Sequence, residues 1–220
     1  MKHVLAVPAI VGIIATAGCD LTAAGSLLGP GGVNNSAVGG QTGAEQTSDT
    51  LTVFFEASGS GALLSRAKAT GNGTVWTSED LASLTERDGI VVGTQGLNTD
   101  LVSIETPSPA TWDTLTPPRA VTAIHRHFSD SVGPWMRAYV CAVSPTRSVS
   151  LPVGDNIETV WETNLSCRNA DQSYEDTYWR DQTGKVVLAR QWLGEQLGYV
   201  NLQYPWHGNT RQAADPGDEQ

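Results

Sequence analysis

The chain has 220 residues and a formal net charge of -10, from 23 acidic against 13 basic side chains. No run of Lys and Arg offers the cationic footprint that neutralising phosphates requires, so nucleic-acid binding is disfavoured. The same acidity argues against a broad electrostatic hold on anionic lipid headgroups. The length suffices for one domain with a genuine core.

Met1-Lys2-His3 opens the chain with a positive charge, an apolar run follows from Val4 to Ala17, and Gly18-Cys19-Asp20 closes it. That order predicts a secretory signal peptide over residues 1–18. A membrane-spanning helix is the alternative, but it needs about 20 apolar residues. This run is shorter and is broken by Pro8 and Gly12. Thr16-Ala17-Gly18-Cys19 resembles the lipobox of bacterial lipoproteins, which implies a diacylglyceryl group on the Cys19 thiol, cleavage before Cys19 and acylation of the new amine. Several acyl chains give stable anchoring where one gives marginal binding. The expected location is the cell envelope, facing the periplasm, on the outer or the inner membrane.

Residues 19–50 are rich in Gly, Ala, Ser, Thr, Asn and Gln, with Gly29-Pro30-Gly31-Gly32 and Gly39-Gly40 in their midst. This composition predicts a flexible, lipidated tether. A folded domain is expected over 51–206. Short β-branched and aromatic runs mark its strands: Leu51–Phe55, Gly73–Thr77, Gly89–Val92, Ala120–Ile124, Met136–Val140, Asn156–Trp161, Thr177–Arg180, Lys185–Leu188 and Tyr199–Tyr204. Turn residues separate them at Gly71-Asn72-Gly73, at Asp88-Gly89 between a Ser83–Arg87 strand and the Ile90 run, at Gly154-Asp155 and at Asp181–Gly184, where positive φ is needed. The expected fold is all-β, an antiparallel meander closing into a barrel or half-barrel that limits exposed edges. No long helical period appears, although Ser78–Leu84 or Trp192–Leu197 could hold a single turn. Residues 207–220 read as a disordered acidic tail.

With Cys19 assigned to lipid, Cys141 and Cys167 remain as an even pair in an oxidising compartment, and a Cys141–Cys167 disulfide is predicted. His125-Arg126-His127 puts two imidazoles on one strand face. Zinc would need a third and a fourth ligand, and none stands at a recognisable spacing, so no metal site and no cofactor is expected. Glu175, Asp176 and Asp181 lie near Trp179, and a glycosidase places two carboxylates about a bond. Adjacent Glu175 and Asp176 point to opposite faces of a strand, however, and Asp181 suits a turn cap. No catalytic residue is therefore assigned. Tryptophans contribute large apolar area to a core, but their rings also stack on sugars. Trp179, Arg180, Arg190 and Trp192 are the candidate contacts for glycan or a partner protein. On the strand after Gly184, Val186, Leu188, Arg190 and Trp192 share one face and Val187, Ala189, Gln191 and Leu193 the other. Both faces are mixed, and the sequence does not say which is wet.

Tyr178-Trp179-Arg180-Asp181-Gln182-Thr183-Gly184-Lys185-Val186-Val187, followed by Arg190-Gln191-Trp192-Leu193-Gly194 and Leu197-Gly198-Tyr199-Val200, resembles the signature of the YjbF/GfcB lipoproteins. A second similar stretch runs from Trp76-Thr77-Ser78-Glu79-Asp80 through Asp88–Val92 to Thr94–Leu101. The resemblance implies a mainly antiparallel β-barrel-like domain with an envelope role in group 4 capsule or exopolysaccharide production. The expected function is a non-catalytic, lipid-anchored accessory protein supporting polysaccharide export or assembly. Its expected partners are the membrane, polysaccharide and the export machinery. A polysaccharide-modifying enzyme with an acidic residue near Trp179 and a purely structural envelope lipoprotein are the alternatives.

Overall fold

The computed structural model describes residues 49–205 apart from 72, 116–118 and 154–155. The signal segment 1–18, Cys19, the tether up to residue 48, Trp206 and the tail 207–220 lie outside the described residues. None of the described helices is long and apolar enough to cross a membrane.

Thirteen strands and one short 3-10 helix make up the described chain. In order they are β1 (Thr50–Phe55), β2 (Ser60–Thr70), β3 (Gly73–Thr77), β4 (Ser83–Arg87), β5 (Ile90–Gln95) and β6 (Asp100–Glu105). The 3-10 helix (Pro109–Thr114) comes next, before β7 (Ala120–Ser129), β8 (Gly133–Val143) and β9 (Arg147–Val153). The last are β10 (Asn156–Arg168), β11 (Ser173–Arg180), β12 (Val186–Trp192) and β13 (Tyr199–Gln203).

Each described ladder is antiparallel, and the order is β5-β4-β3-β2-β1-β13-β12-β11-β10-β8-β7-β6. Strands β8 and β9 lie end to end along one edge of β10, with Val143 opposite Leu165 and Arg147 opposite Glu162. They act as one bent strand. The ring of neighbours closes where β5 meets β6: a Cβ on Gly93 would lie 3.5 Å from the Leu101 carbonyl oxygen. The Leu101 amide there donates to Thr94 Oγ1 at 2.9 Å. The outcome is a nearly closed meander barrel, which leaves little unpaired edge.

Alternation decides which side chains enter. Along β11, Tyr174, Asp176, Tyr178 and Arg180 are buried, while Ser173 and Glu175 face out. Along β7 the buried set is Val121, Ala123, His125, His127 and Ser129. Opposite walls pack against each other: a Cβ on Gly89 would strike the Val186 side chain. The interior is therefore filled, with Leu51, Val53, Leu101, Leu165, Val200 and Leu202 at its centre. Cys141 and Cys167 are direct cross-strand partners of β8 and β10 and form the expected disulfide.

Turn chemistry follows the residues. Asp88 and Gly89 both take positive φ, 55° and 82°, as a two-residue hairpin whose twist matches its strands demands. Asp181 Oδ1 accepts from the Thr183 amide at 2.8 Å and the Lys185 amide at 3.1 Å, with Gly184 at φ 83° closing the turn. The Gly154-Asp155 turn lies outside the described residues. Three strands carry no sequence signal. β2 buries only Leu64 of its eleven residues, so no apolar alternation marks it. β6 is short, and β9 contains Pro152, tolerated because β10 is its only partner strand among the described residues. The helical turn falls at Pro109–Thr114, where Ser108 caps the Ala110 amide and Pro109 takes the first position.

Candidate functional site

The segment Tyr178–Val200 covers β11, β12 and the start of β13. Its inner face carries Gln191, whose side-chain amide accepts from the Val91 amide at 2.8 Å and donates to the Val91 carbonyl at 2.9 Å. The β4–β5 ladder shifts register at Thr85/Glu86, and Gln191 from the opposite wall supplies the bonds that Val91 makes at this irregularity. Arg180 also lies inside. Its Nη2 donates to Asp113 Oδ2 at 2.8 Å and reaches Thr146 and Thr163 hydroxyls at 3.2 and 3.3 Å, while Nη1 reaches the Pro109 carbonyl at 3.4 Å. Those bonds dock the 3-10 helix against the barrel, with Trp112 wholly buried and edge-on to Tyr178 at 5.2 Å. Burial alone would raise the Asp113 pKa, but hydrogen bonds from Thr146 and Arg180 and the Arg180 charge bring it below the usual value.

The outer face of the same strands is quite different. Trp179 lies against β10 at 8% exposure and donates its indole N–H to Glu162 at 3.1 Å, and Glu162 also binds Arg147. Arg190 grips Glu56 with two bonds, at 2.7 and 2.8 Å, and its guanidinium sits 3.5 Å over the Tyr199 ring. Asn201 adds a third bond to Glu56. Desolvation would raise Glu56, but Arg190 and Asn201 outweigh it and lower its pKa. Trp192, half-buried, packs between Tyr174 and Tyr199 at 6.2 and 5.1 Å.

Two kinds of titratable group are trapped inside. Asp176, at 3% exposure, accepts from the Trp192 amide at 2.6 Å and from the Tyr178 hydroxyl at 3.4 Å. Desolvation pushes its pKa up to about 8 despite those bonds. His125 and His127 lie 6.2 Å apart on the inner face of β7. Desolvation, then repulsion from His127, lowers His125 to about 3, and its Nε2 meets the Tyr174 hydroxyl at 3.1 Å. Among the described residues no group of three or more His, Cys, Asp and Glu could hold a metal ion.

One end of the barrel carries an open cleft of about 430 Å³ where the β2–β3, β4–β5 and β11–β12 turns converge. Buried Trp76 and Tyr204 form its floor, with Glu86 beside them. Both ends of the described chain lie at this end, since β1 begins and β13 finishes there.

Residues 45–204 match the protein family described as "Group 4 capsule polysaccharide lipoprotein gfcB, YjbF". The chain belongs to the YjbF family. Among solved structures it is similar to the hypothetical lipoprotein YmcC from Escherichia coli K12, with a TM-score of 0.60 and 19% identity. That likeness covers 70% of this chain and 82% of YmcC, and it shows the fold. No curated protein matches the chain significantly.

Within this YjbF-family domain the signature residues are held chiefly by structural bonds. Of the candidate contacts, Trp179 and Arg180 are buried on opposite faces, with their polar atoms bound to Glu162 and Asp113. Arg190 and Trp192 are both half-buried beside Tyr199, with Trp192 also packed against Tyr174 of the core. Glu175 and Asp176 do point to opposite faces, and Asp181 does cap its turn. Sequence reasoning missed Trp112, which sits in a Pro-rich connection without strand period, and missed Tyr204 and Glu86 as neighbours in one cleft. The pairing of a strand end with a distant hairpin turn leaves no local pattern to find.

Proposed function

We propose that this protein is a lipid-anchored accessory component of the cell envelope that supports capsule or exopolysaccharide export or assembly without catalysing a reaction. The observation that carries this reading is membership of the YjbF family over nearly the whole described barrel. A filled interior favours a binding or docking role over conduction of a glycan through the barrel. The non-catalytic reading draws support from the carboxylates near Trp179: Asp176 is buried, Glu175 faces out and Asp181 is committed to a turn. They do not face one another across a shared space, as glycoside hydrolysis requires.

Anchoring through acylated Cys19 places the domain on a membrane facing the periplasm, reached by the Gly-rich tether. Glycan or export machinery is the partner, with half-buried Arg190 and Trp192 as contacts. Deleting the gene tests the function: secreted polysaccharide should fall sharply and return with the wild-type copy. Normal secretion from the deletion strain overturns the reading. Cys19→Ser should abolish incorporation of labelled palmitate and release the protein from membranes; unchanged retention refutes Cys19 as the anchor.

A further inference from the structure

The cleft at the end of the barrel combines a buried polar floor with an exposed cationic rim. Trp76 and Tyr204 are 2% and 4% exposed. The Tyr204 hydroxyl has no hydrogen-bond partner among the described residues. The Trp76 indole nitrogen lies beside the Glu86 carboxylate but outside hydrogen-bonding geometry. Burial of such groups without partners is costly, and both residues line the open cleft, which points to a ligand that completes them. Glu86 accepts from the Gly89 amide and keeps further acceptor capacity. Arg87 and Lys185 stand exposed at the rim, with Asp88 beside them.

This mixture selects among ligands. A divalent cation would need converging oxygens, whereas here Arg66, Arg87 and Lys185 surround Glu86 and Asp88. A bare anion would leave the donor-seeking Glu86 unmet. A sugar hydroxyl both donates and accepts, so one ring can give a proton to Glu86 and take bonds from Tyr204 and Trp76. Arg66 lies 5.3 Å over the Trp76 ring, so that face is covered and the indole offers its N–H edge. The volume, about 430 Å³, falls within the range of small-molecule sites and admits more than an ion.

We propose that this cleft is a saccharide subsite that takes a uronic-acid residue, its hydroxyls on Glu86, Tyr204 and Trp76 and its carboxylate on Arg87 and Lys185. The assignment rests on the proposed polysaccharide role and deepens it by naming a subsite and a sugar class.

The test is titration of the full chain in detergent micelles with trigalacturonate, followed by calorimetry or tryptophan fluorescence. Tyr204→Phe removes only a hydroxyl that has no partner among the described residues, so folding is preserved and the melting temperature does not fall. It should weaken binding roughly five-fold, the equivalent of one hydrogen bond. Arg87→Gln with Lys185→Gln, both exposed positions, should weaken it about ten-fold or more and flatten its salt dependence. Maltotriose, which lacks carboxylates, should bind at least about ten-fold more weakly than trigalacturonate. The proposal is overturned if trigalacturonate fails to bind at about 10 mM, or binds the variants like the wild type. It is equally overturned if inorganic phosphate binds as well as trigalacturonate. Polysaccharide secretion reads the broader function separately: if deletion abolishes secretion and the Arg87/Lys185 variant restores it fully, the cleft assignment falls and the envelope role stands.

Discussion

Replacing Asp176 by asparagine should flatten the alkaline side of the protein's stability profile. Asp176 has a folded pKa of about 8, against roughly 3.9 in an unfolded chain. Between those values the folded protein holds a proton that the unfolded chain has lost, so stability falls as pH rises, by about 1.4 kcal/mol per unit. His125 acts in the opposite sense. Its folded value is about 3 against roughly 6.5 unfolded, so stability from this group falls as pH drops from about 6.5 towards 3. From about pH 4 to 6.5 the two slopes cancel. Above that, of these two, the Asp176 slope remains, and because it halves as pH reaches the folded pKa it amounts to about 1.6 kcal/mol by pH 8. An asparagine in its place reproduces the neutral acid: its oxygen accepts from the Trp192 amide, and its NH2 can donate to the Tyr178 oxygen.

Urea unfolding followed by tryptophan fluorescence, in a Cys19→Ser background, gives the free energy at each pH. The difference between the Asp176→Asn variant and its parent should grow by about 1.6 kcal/mol from pH 6.5 to 8 in favour of the variant. Taking the difference cancels Glu86, whose pKa is also raised by burial and whose slope has the same sign. A difference constant to within about 0.5 kcal/mol over that range refutes the reasoning, because Asp176 would then titrate alike in both states.

Gln191→Leu should cost about 2–4 kcal/mol in urea unfolding, since it strands the buried Val91 amide and carbonyl; a loss under about 0.5 kcal/mol would mean water replaces the side chain. The disulfide closes a loop with a sequence separation of 26, so Cys141→Ser with Cys167→Ser should lower stability by about 3.5 kcal/mol. Alkylation without reductant should leave both cysteines unlabelled, and two labelled thiols would count against the bond. Arg180→Met and Asp113→Asn should couple by roughly 1–3 kcal/mol in a double-mutant cycle, because the arginine is buried while the carboxylate is half-exposed. Additive effects would show that this pair does not hold the 3-10 helix.

Much of the fold was legible because its signals are local. Alternating β-branched runs announce a strand without reference to any partner, and Asp88-Gly89 announces a tight turn by its conformational preference alone. The even pair of cysteines fixed a covalent partner by elimination. β2 was invisible for the converse reason: with Leu64 as its one buried residue, its pairing is set by β1 and β3 and not by its own pattern.

The sequence by itself determined a meander of short strands, a cysteine pair and two alternative faces for β12. Only the tertiary structure decided between those faces. Ala189, Gln191 and Leu193 turn inward because Val91 on the opposite wall needs the Gln191 amide, a register shift at Val187 brings Val186 in with them, and Arg190 turns outward to Glu56, 134 residues away along the chain. It also sent Arg180 inward to Asp113 and set Tyr204 beside Glu86 in one cleft. Hydrophobic period is a property of a single strand; the partner that satisfies a polar side chain is a property of the closed barrel.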